Sequence, residues 1–207
     1  MELYIVRHGN TPLQGDVQYP IDPRLTELGV RQAESLAHRL QNVHFDHIFA
    51  SPLQRCVQTV APLCAKTETA VQLMYALLEK GTRANYVGLP FFVLQDICPQ
   101  LKENTFAFCE KGLPPYETDA QVFERAKQVI SYVRSVCKED DTVLLVAHGT
   151  FNNFLIHAAL GFAIRDNFNF SQDNTGLTLV RFLDDNGKQR TKLAFMNDTT
   201  HLNTMKE

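Results

Sequence analysis

The sequence predicts an α/β fold: a three-layer α/β/α sandwich with a mainly parallel sheet, a C-terminal antiparallel hairpin and a lid-like insertion. Three observations carry this. Short apolar runs alternate with stretches of helical periodicity along the whole chain, the pattern of a parallel sheet covered on both faces. Val143-Leu144-Leu145-Val146-Ala147 is continuously apolar, as a strand buried on both faces should be. The strands expected at Leu3–Val6 and Thr142–Ala147 also end alike, in a histidine, a glycine and a nearby threonine. The 207 residues suit one domain, 1–207, with an insertion over about 80–116 expected to form a substrate lid.

Leu3 to Val6 reads as a short buried strand, because aromatic and β-branched residues suit a packed, pleated surface. Arg7 and His8 fall where that strand leaves the sheet, and Gly9 lets the backbone turn there. A polar loop follows to Asp22. Thr26 is the expected N-cap of a helix with Glu27 in its first turn and Ala33, Leu36, Ala37 and Leu40 on one apolar face. Gly29 is a modest cost to that helix. Phe45 to Ala50 reads as a second strand. Ser51 is then the expected N-cap of a second helix, with Pro52 at its first position and Gln54 at the capping-box spacing. Arg55 lies in that first turn, where a cation is unfavourable unless an anion is near.

Val71 to Leu78 reads as a third strand ending at Glu79. From Lys80 to Tyr116 the pattern breaks down among Gly81, Gly88, Pro90, Pro99, Gly112, Pro114 and Pro115, which reads as an insertion of loops and short helices. Phe91, Phe92, Phe106 and Phe108 lie there and should need burial. Asp119 opens an amphipathic helix lined by Val122, Ala126, Val129, Ile130, Val133 and Cys137. After the strand ending at Ala147 comes a helix, Phe151 to Leu160. Asn174-Thr175-Gly176 is a turn, and strands at Leu177–Leu183 and Lys192–Met196 form a hairpin about Asp185-Asn186-Gly187. The residues after Asn197 read as a polar tail in which His201 needs no role.

Composition excludes several classes of function. A hydrophobic fraction of 44% supports a sizeable core. Twenty Lys and Arg against 23 Asp and Glu leave a net charge of -3, which gives no electrostatic case for nucleic acid or an anionic membrane. Five scattered cysteines, none in a CxxC pair, indicate reduced thiols in a cytoplasmic protein. No cysteine-histidine spacing suggests zinc. Glu2 stands where a basic leader would be expected of a signal peptide, and no apolar run is long enough to cross a bilayer. His44 and His47 flank Phe45-Asp46. A metal pair there competes with a solvated loop beside a strand start, and the loop is the better account.

Arg7 and His8, Arg55, Glu79 and His148 all follow expected strands. If those strands are parallel neighbours, the five side chains converge at one edge of the sheet, where ligands of open α/β sheets bind. Two histidines, two arginines and a carboxylate suit phosphoryl transfer. The arginine fork matches phosphate oxygens, a neutral imidazole can attack phosphorus, and a carboxyl can protonate the leaving oxygen. Glu79 is the expected acid, with Glu110 and Glu117 as competitors.

Four motifs, in order, resemble the histidine phosphatase family, the broad group that also holds the cofactor-dependent phosphoglycerate mutases. They are Arg7-His8-Gly9-x-Thr11, then Asp22-x-x-Leu25-Thr26-x-x-Gly29-x-x-Gln32-Ala33, then Ser51-Pro52-Leu53-x-Arg55-Cys56-x-Gln58-Thr59, and Ala147-His148-Gly149. The resemblance implies a metal-independent, histidine acid phosphatase-like phosphomonoesterase that needs no organic cofactor. It implies His8 as the phosphorylated nucleophile, Arg7, Arg55 and His148 as the phosphate pocket, and Glu79 as acid and then base. The substrate-binding set that goes with it is Arg7, His8, Thr11, Gln14, Arg55, His148 and Gly149. Gln14 stands where the family often has Asn. Glu79 to Tyr86 lacks the acidic-Arg-His-Tyr-Gly type of segment of the mutases, which favours hydrolysis. The expected partner is a small phosphorylated metabolite; a homodimer is left open. A mutase and a non-catalytic phospho-ligand module are the alternative readings.

Overall fold

The computed structural model describes residues 1–12, 22–81, 88–103, 117–164 and 169–206. Among these, seven strands and five α-helices form a single layered unit. In chain order they are β1 (Glu2–Arg7), α1 (Glu27–Leu40), β2 (His47–Ala50), α2 (Gln54–Thr67), β3 (Val71–Leu73), α3 (Phe91–Ile97), β4 (Leu101–Glu103), α4 (Asp119–Val136), β5 (Thr142–Ala147), α5 (Gly149–Leu160), β6 (Leu177–Asp185) and β7 (Lys188–Asp198). The sheet order is β4-β3-β2-β5-β1-β6-β7. The first five strands in that order run parallel, and β6 and β7 run antiparallel. The expected sandwich, hairpin included, is therefore present.

The alternation of side chains along β1 sends Leu3 and Ile5 to one face and Val6 to the other. Leu3 and Ile5 pack with Val122, Val129 and Val133 of α4 and Phe151 and Leu155 of α5. Val6 packs with Leu36 and Ala37 of α1 and Val57 and Val60 of α2. All of these are buried, and each side chain larger than alanine contributes roughly 1.5–3 kcal/mol by leaving water.

Several local readings are corrected. Ser51 does not cap α2, which begins at Gln54 with Leu53 in the cap position and no side-chain cap. The α2 amide of Gln54 is instead satisfied by Asp22 Oδ2, 2.9 Å away. The strand expected over Val71–Leu78 stops at Leu73, and Tyr75–Leu77 form a 3₁₀ turn. The stretch read as loops and short helices does hold a helix, α3, but it also extends the sheet through the edge strand β4 paired with β3. The rest of it, Phe106, Phe108 and Glu110 included, lies outside the described residues. Leu94 is buried on α3, whereas Phe92 is 68% exposed. The C-terminal residues are not a free tail. Thr200–Lys206 form a 3₁₀ helix whose buried His201 hydrogen-bonds Thr175 Oγ1 at 3.0 Å, while Ser35 donates to the His201 carbonyl.

Candidate active site

Register brings the expected residues together. Arg7 pairs with Ala147, and Ala50 lies opposite Val146, so β1, β5 and β2 end at one level. The His8 amide extends the ladder by donating to Ala147 O at 3.0 Å. His8 and His148 leave adjacent strands in step, and their rings lie 5.3 Å apart. The loop after His8 is held by close backbone packing. Gly9 donates to Thr59 Oγ1 at 2.9 Å, and a Cβ on Gly29 would stand 2.2 Å from the Asn10 carbonyl. Gly29, a cost to α1 as a helix residue, is thus what lets α1 press against this loop.

His8 is buried, and its Nδ1 donates to Gly9 O at 2.7 Å. A carbonyl can only accept, so Nδ1 carries the proton and Nε2 keeps the lone pair. Arg7 donates from Nη1 to the Gln172 carbonyl at 2.8 Å. Its Nε is buried without a partner among the described residues, and a Cβ at Gly149 would stand only 3.1 Å from it. Gly149 thereby lets the guanidinium lie against the start of α5. Arg55 is buried in the first turn of α2, with Nη1 3.3 Å from Asp22 Oδ1. The Glu79 carboxylate reaches the N-terminus of α5, accepting from Phe151 N at 2.9 Å and Thr150 N at 3.2 Å. Fully buried His148 has Nε2 2.8 Å from Ser51 Oγ. Thr11 is partly exposed two residues beyond Gly9, and Gln14 lies outside the described residues.

Comparison with known proteins decides the family: residues 3–198 match the histidine phosphatase superfamily (branch 1). The chain belongs to the histidine phosphatase superfamily. Phosphoserine phosphatase 1 of Hydrogenobacter thermophilus is 24% identical to this histidine phosphatase over 210 residues, spanning 98% of this chain and 94% of that protein. A variant of the Entamoeba histolytica phosphoserine phosphatase, solved with phosphoserine, has a TM-score of 0.64 at 25% identity and covers 97% of this chain and 98% of its own. A mycobacterial glucosyl-3-phosphoglycerate phosphatase solved with VO3 shares the fold with a TM-score of 0.68 at 24% identity, covering 96% and 99%.

The electrostatics of this histidine phosphatase follow from burial among cations. Loss of water pushes His8 down from 6.5 to about 3, with Arg55 and Arg7 adding to the effect against the Gly9 hydrogen bond. His148 falls well below 6.5 for the same first reason, helped by Arg55. Both rings are neutral at pH 7. Glu79 moves the other way. Burial raises its pKa, opposed by the amides of Lys80, Thr150 and Phe151 and by the charge of Arg55. A pocket of about 290 Å³ is lined in part by Arg7, Glu79, Asn153, Asn169 and Ser171.

Glu117 is not at this edge as a free carboxyl. It forms a buried two-point pair with Arg125, Oε1 to Nε at 2.8 Å and Oε2 to Nη2 at 2.7 Å. Glu110 lies outside the described residues. His47 Nε2 is 3.2 Å from Asp141 Oδ2, beside Cys137. The Cys137 thiol is pushed up to about 11 by burial and by Asp141 and Asp46, so it is protonated at neutral pH. His157 is buried, and its Nδ1 donates to Asn153 O at 2.8 Å. Among the described residues no helix is long and apolar enough to cross a membrane.

Sequence reasoning gave no role to Gln172 or Arg125, and named Asp22 only within a motif and Asn174 only in a turn. Asn174 Nδ2 donates to the His8 carbonyl at 2.9 Å, and Thr175 N to the Arg7 carbonyl at 3.0 Å. A signal for Arg125 was available, since it shares the apolar stripe of α4 with Val122 and Val129.

Proposed function

We propose that this histidine phosphatase is a phosphomonoester hydrolase that works through a phosphohistidine on His8. The observation that carries the reading is the Nδ1 hydrogen bond of His8 to Gly9 O, which leaves an unprotonated Nε2 beside two guanidinium groups. The Nε2 lone pair attacks phosphorus as the ester P–O bond breaks. Glu79 gives its proton to the departing oxygen and becomes a carboxylate. Arg7 and Arg55 match the equatorial oxygens, and the buried Arg7 Nε has no partner among the described residues. In the second step Glu79 takes a proton from water, whose oxygen attacks phosphorus. The P–N bond breaks, inorganic phosphate leaves, and His8 recovers its lone pair.

The polar side chains of Asn153, Asn169 and Ser171 in the adjoining pocket suit a small metabolite with a hydrogen-bonding leaving group. The relatives named for phosphoserine and glucosyl-3-phosphoglycerate support that class. Brief reaction with a labelled phosphomonoester and an acid-free quench should trap base-stable, acid-labile phosphate on the protein. The His8→Ala variant should trap none and should lose hydrolysis of p-nitrophenyl phosphate. Retention of the original rate in that variant would end the assignment. With a phosphoglycerate, inorganic phosphate rather than an isomer is expected.

A further inference from the structure

We propose that Arg125, braced by Glu117, is a positioning residue for Glu79, an inference that rests on Glu79 being the acid of the proposed reaction. The backbone leading to Glu79 has an unusual need. β3 leaves the sheet at Leu73, five residues too early for ladder bonds to hold the chain as far as Leu78. In the 3₁₀ turn, the carbonyls of Met74 and Tyr75 are taken by the amides of Leu77 and Leu78. Ala76 and Leu78 are buried too, and their carbonyls need donors that no neighbouring strand supplies.

Arg125 supplies both. Its Nη1 lies 2.7 Å from Ala76 O and 2.8 Å from Leu78 O. Its Nε and Nη2 face the two oxygens of Glu117, which neutralises the buried charge and fixes the plane of the fork. The guanidinium also lies over the Phe151 ring, 4.0 Å from its centroid. Phe151 is the residue whose amide holds Glu79 Oε1. One side chain therefore pins the residue before Glu79 and stacks on a residue that orients the Glu79 carboxylate.

The same fork ties down both feet of residues 80–116. Leu78 stands just before that stretch and Glu117 just after it. A shift at either foot is transmitted to the carboxyl that must meet the leaving oxygen, and a displacement of about 1 Å can cost on the order of 10²-fold in rate. A lysine at 125 could keep the charge but not the planar four-point geometry.

The test is leaving-group dependence in kcat/KM, which reports phosphoryl transfer to His8. A nitrophenolate departs without a proton, whereas an alkoxide needs one. Arg125→Lys and Glu117→Gln should lower kcat/KM for β-glycerophosphate by about tenfold to 10²-fold. For 2,4-dinitrophenyl phosphate the loss should stay within about threefold. Glu79→Gln, measured alongside, should show the same selective pattern more strongly. Equal losses on both substrates, or none on either, would overturn the positioning role. If Glu79→Gln is selective and the Arg125 and Glu117 variants are not, this inference fails and the proposed function stands. If Glu79→Gln is not selective, the acid is misassigned and the inference falls with it. Far-UV circular dichroism and thermal unfolding identify any variant that does not fold. Glu117→Gln, which keeps the shape and an acceptor, then decides.

Discussion

The imidazoles of His8 and His148 lie 5.3 Å apart, centroid to centroid, with their planes 62° apart. Both rings are buried, and both are driven below their ordinary pKa by loss of water and by Arg55. Neutrality is thus a property of the pair: a proton on either ring would meet a second imidazole and two guanidinium groups with little water to screen it.

Stability should therefore depend on pH in a defined window. The unfolded chain binds these protons near 6.5, and the folded chain binds the His8 proton only near 3. The folded state is thus favoured fully above 6.5 and loses stability as pH falls toward 3. Each such histidine contributes a slope of up to about 1.4 kcal/mol per pH unit. Urea unfolding at pH 7.5 and 5.5 measures this, in a range where most carboxylates are still ionised. Across that interval the change in stability for His8→Gln should be smaller by about 1.4 kcal/mol, an average of about half a proton. An unchanged slope would show that His8 titrates alike in the folded and unfolded chain and is not held neutral by the fold.

The raised pKa of Glu79 sets the opposite limb of the activity profile. The acid form is needed for the first step, so kcat/KM should fall as pH rises through the folded pKa of Glu79. On the acid side, His8 stays unprotonated down to about 3 and imposes no early loss. Glu79→Gln should flatten the alkaline limb while lowering the rate by about 10²–10⁴-fold. A limb that survives in the variant belongs to another group.

The sheet was legible because β5 and β1 carry the pattern of strands packed on both faces, and the ends of those strands placed Arg7, His8 and His148 in one row. Local rules failed where a distant partner supplied the bond. The Ser51-x-x-Gln54 spacing satisfied a capping rule, yet the Ser51 hydroxyl goes to His148 and the α2 amide to Asp22. The apolar run to Leu78 could not reveal a turn whose carbonyls are satisfied by Arg125. For the same reason Glu79 and Glu117 look alike in sequence: the contrast between a carboxyl at the site and one locked to a guanidinium is a property of α4 packing. His201 looked free because the Thr175 hydroxyl that meets it lies 26 residues earlier.

Asp22 should matter beyond its charge. One oxygen lies near Arg55 Nη1 and the other accepts the first amide of α2, so a single carboxylate orients the arginine and ends the helix. Asp22→Ala would leave a buried guanidinium without its partner and a helix amide without its acceptor. A loss of about 3–5 kcal/mol is expected, the usual cost of breaking a buried pair from one side. Asp22→Asn keeps an acceptor and should lose less. Urea unfolding ranks the two, and equal stability of Asp22→Ala and wild type would remove Asp22 from the support of Arg55.

Gly29→Ala pits two opposed effects against each other. Alanine in a helix interior is better than glycine by up to about 1 kcal/mol. Here the added methyl would come 2.2 Å from the Asn10 carbonyl, which is backbone and cannot swing aside. Overpacking of this kind costs about 1–3 kcal/mol, so sterics should win and the variant should be less stable. The damage should also reach the reaction, because Asn10 lies two residues from His8 and its amide is held by Gln32 at 2.8 Å. Pushing α1 away from the loop would move Gly9 and with it the carbonyl that fixes the His8 tautomer. Glu34→Ala, on the exposed face of the same helix, gains the helix preference without the clash and should stay within about 0.5 kcal/mol of wild type with full activity. A Gly29→Ala protein as stable and active as Glu34→Ala would mean that the packing of α1 does not hold the nucleophile in place.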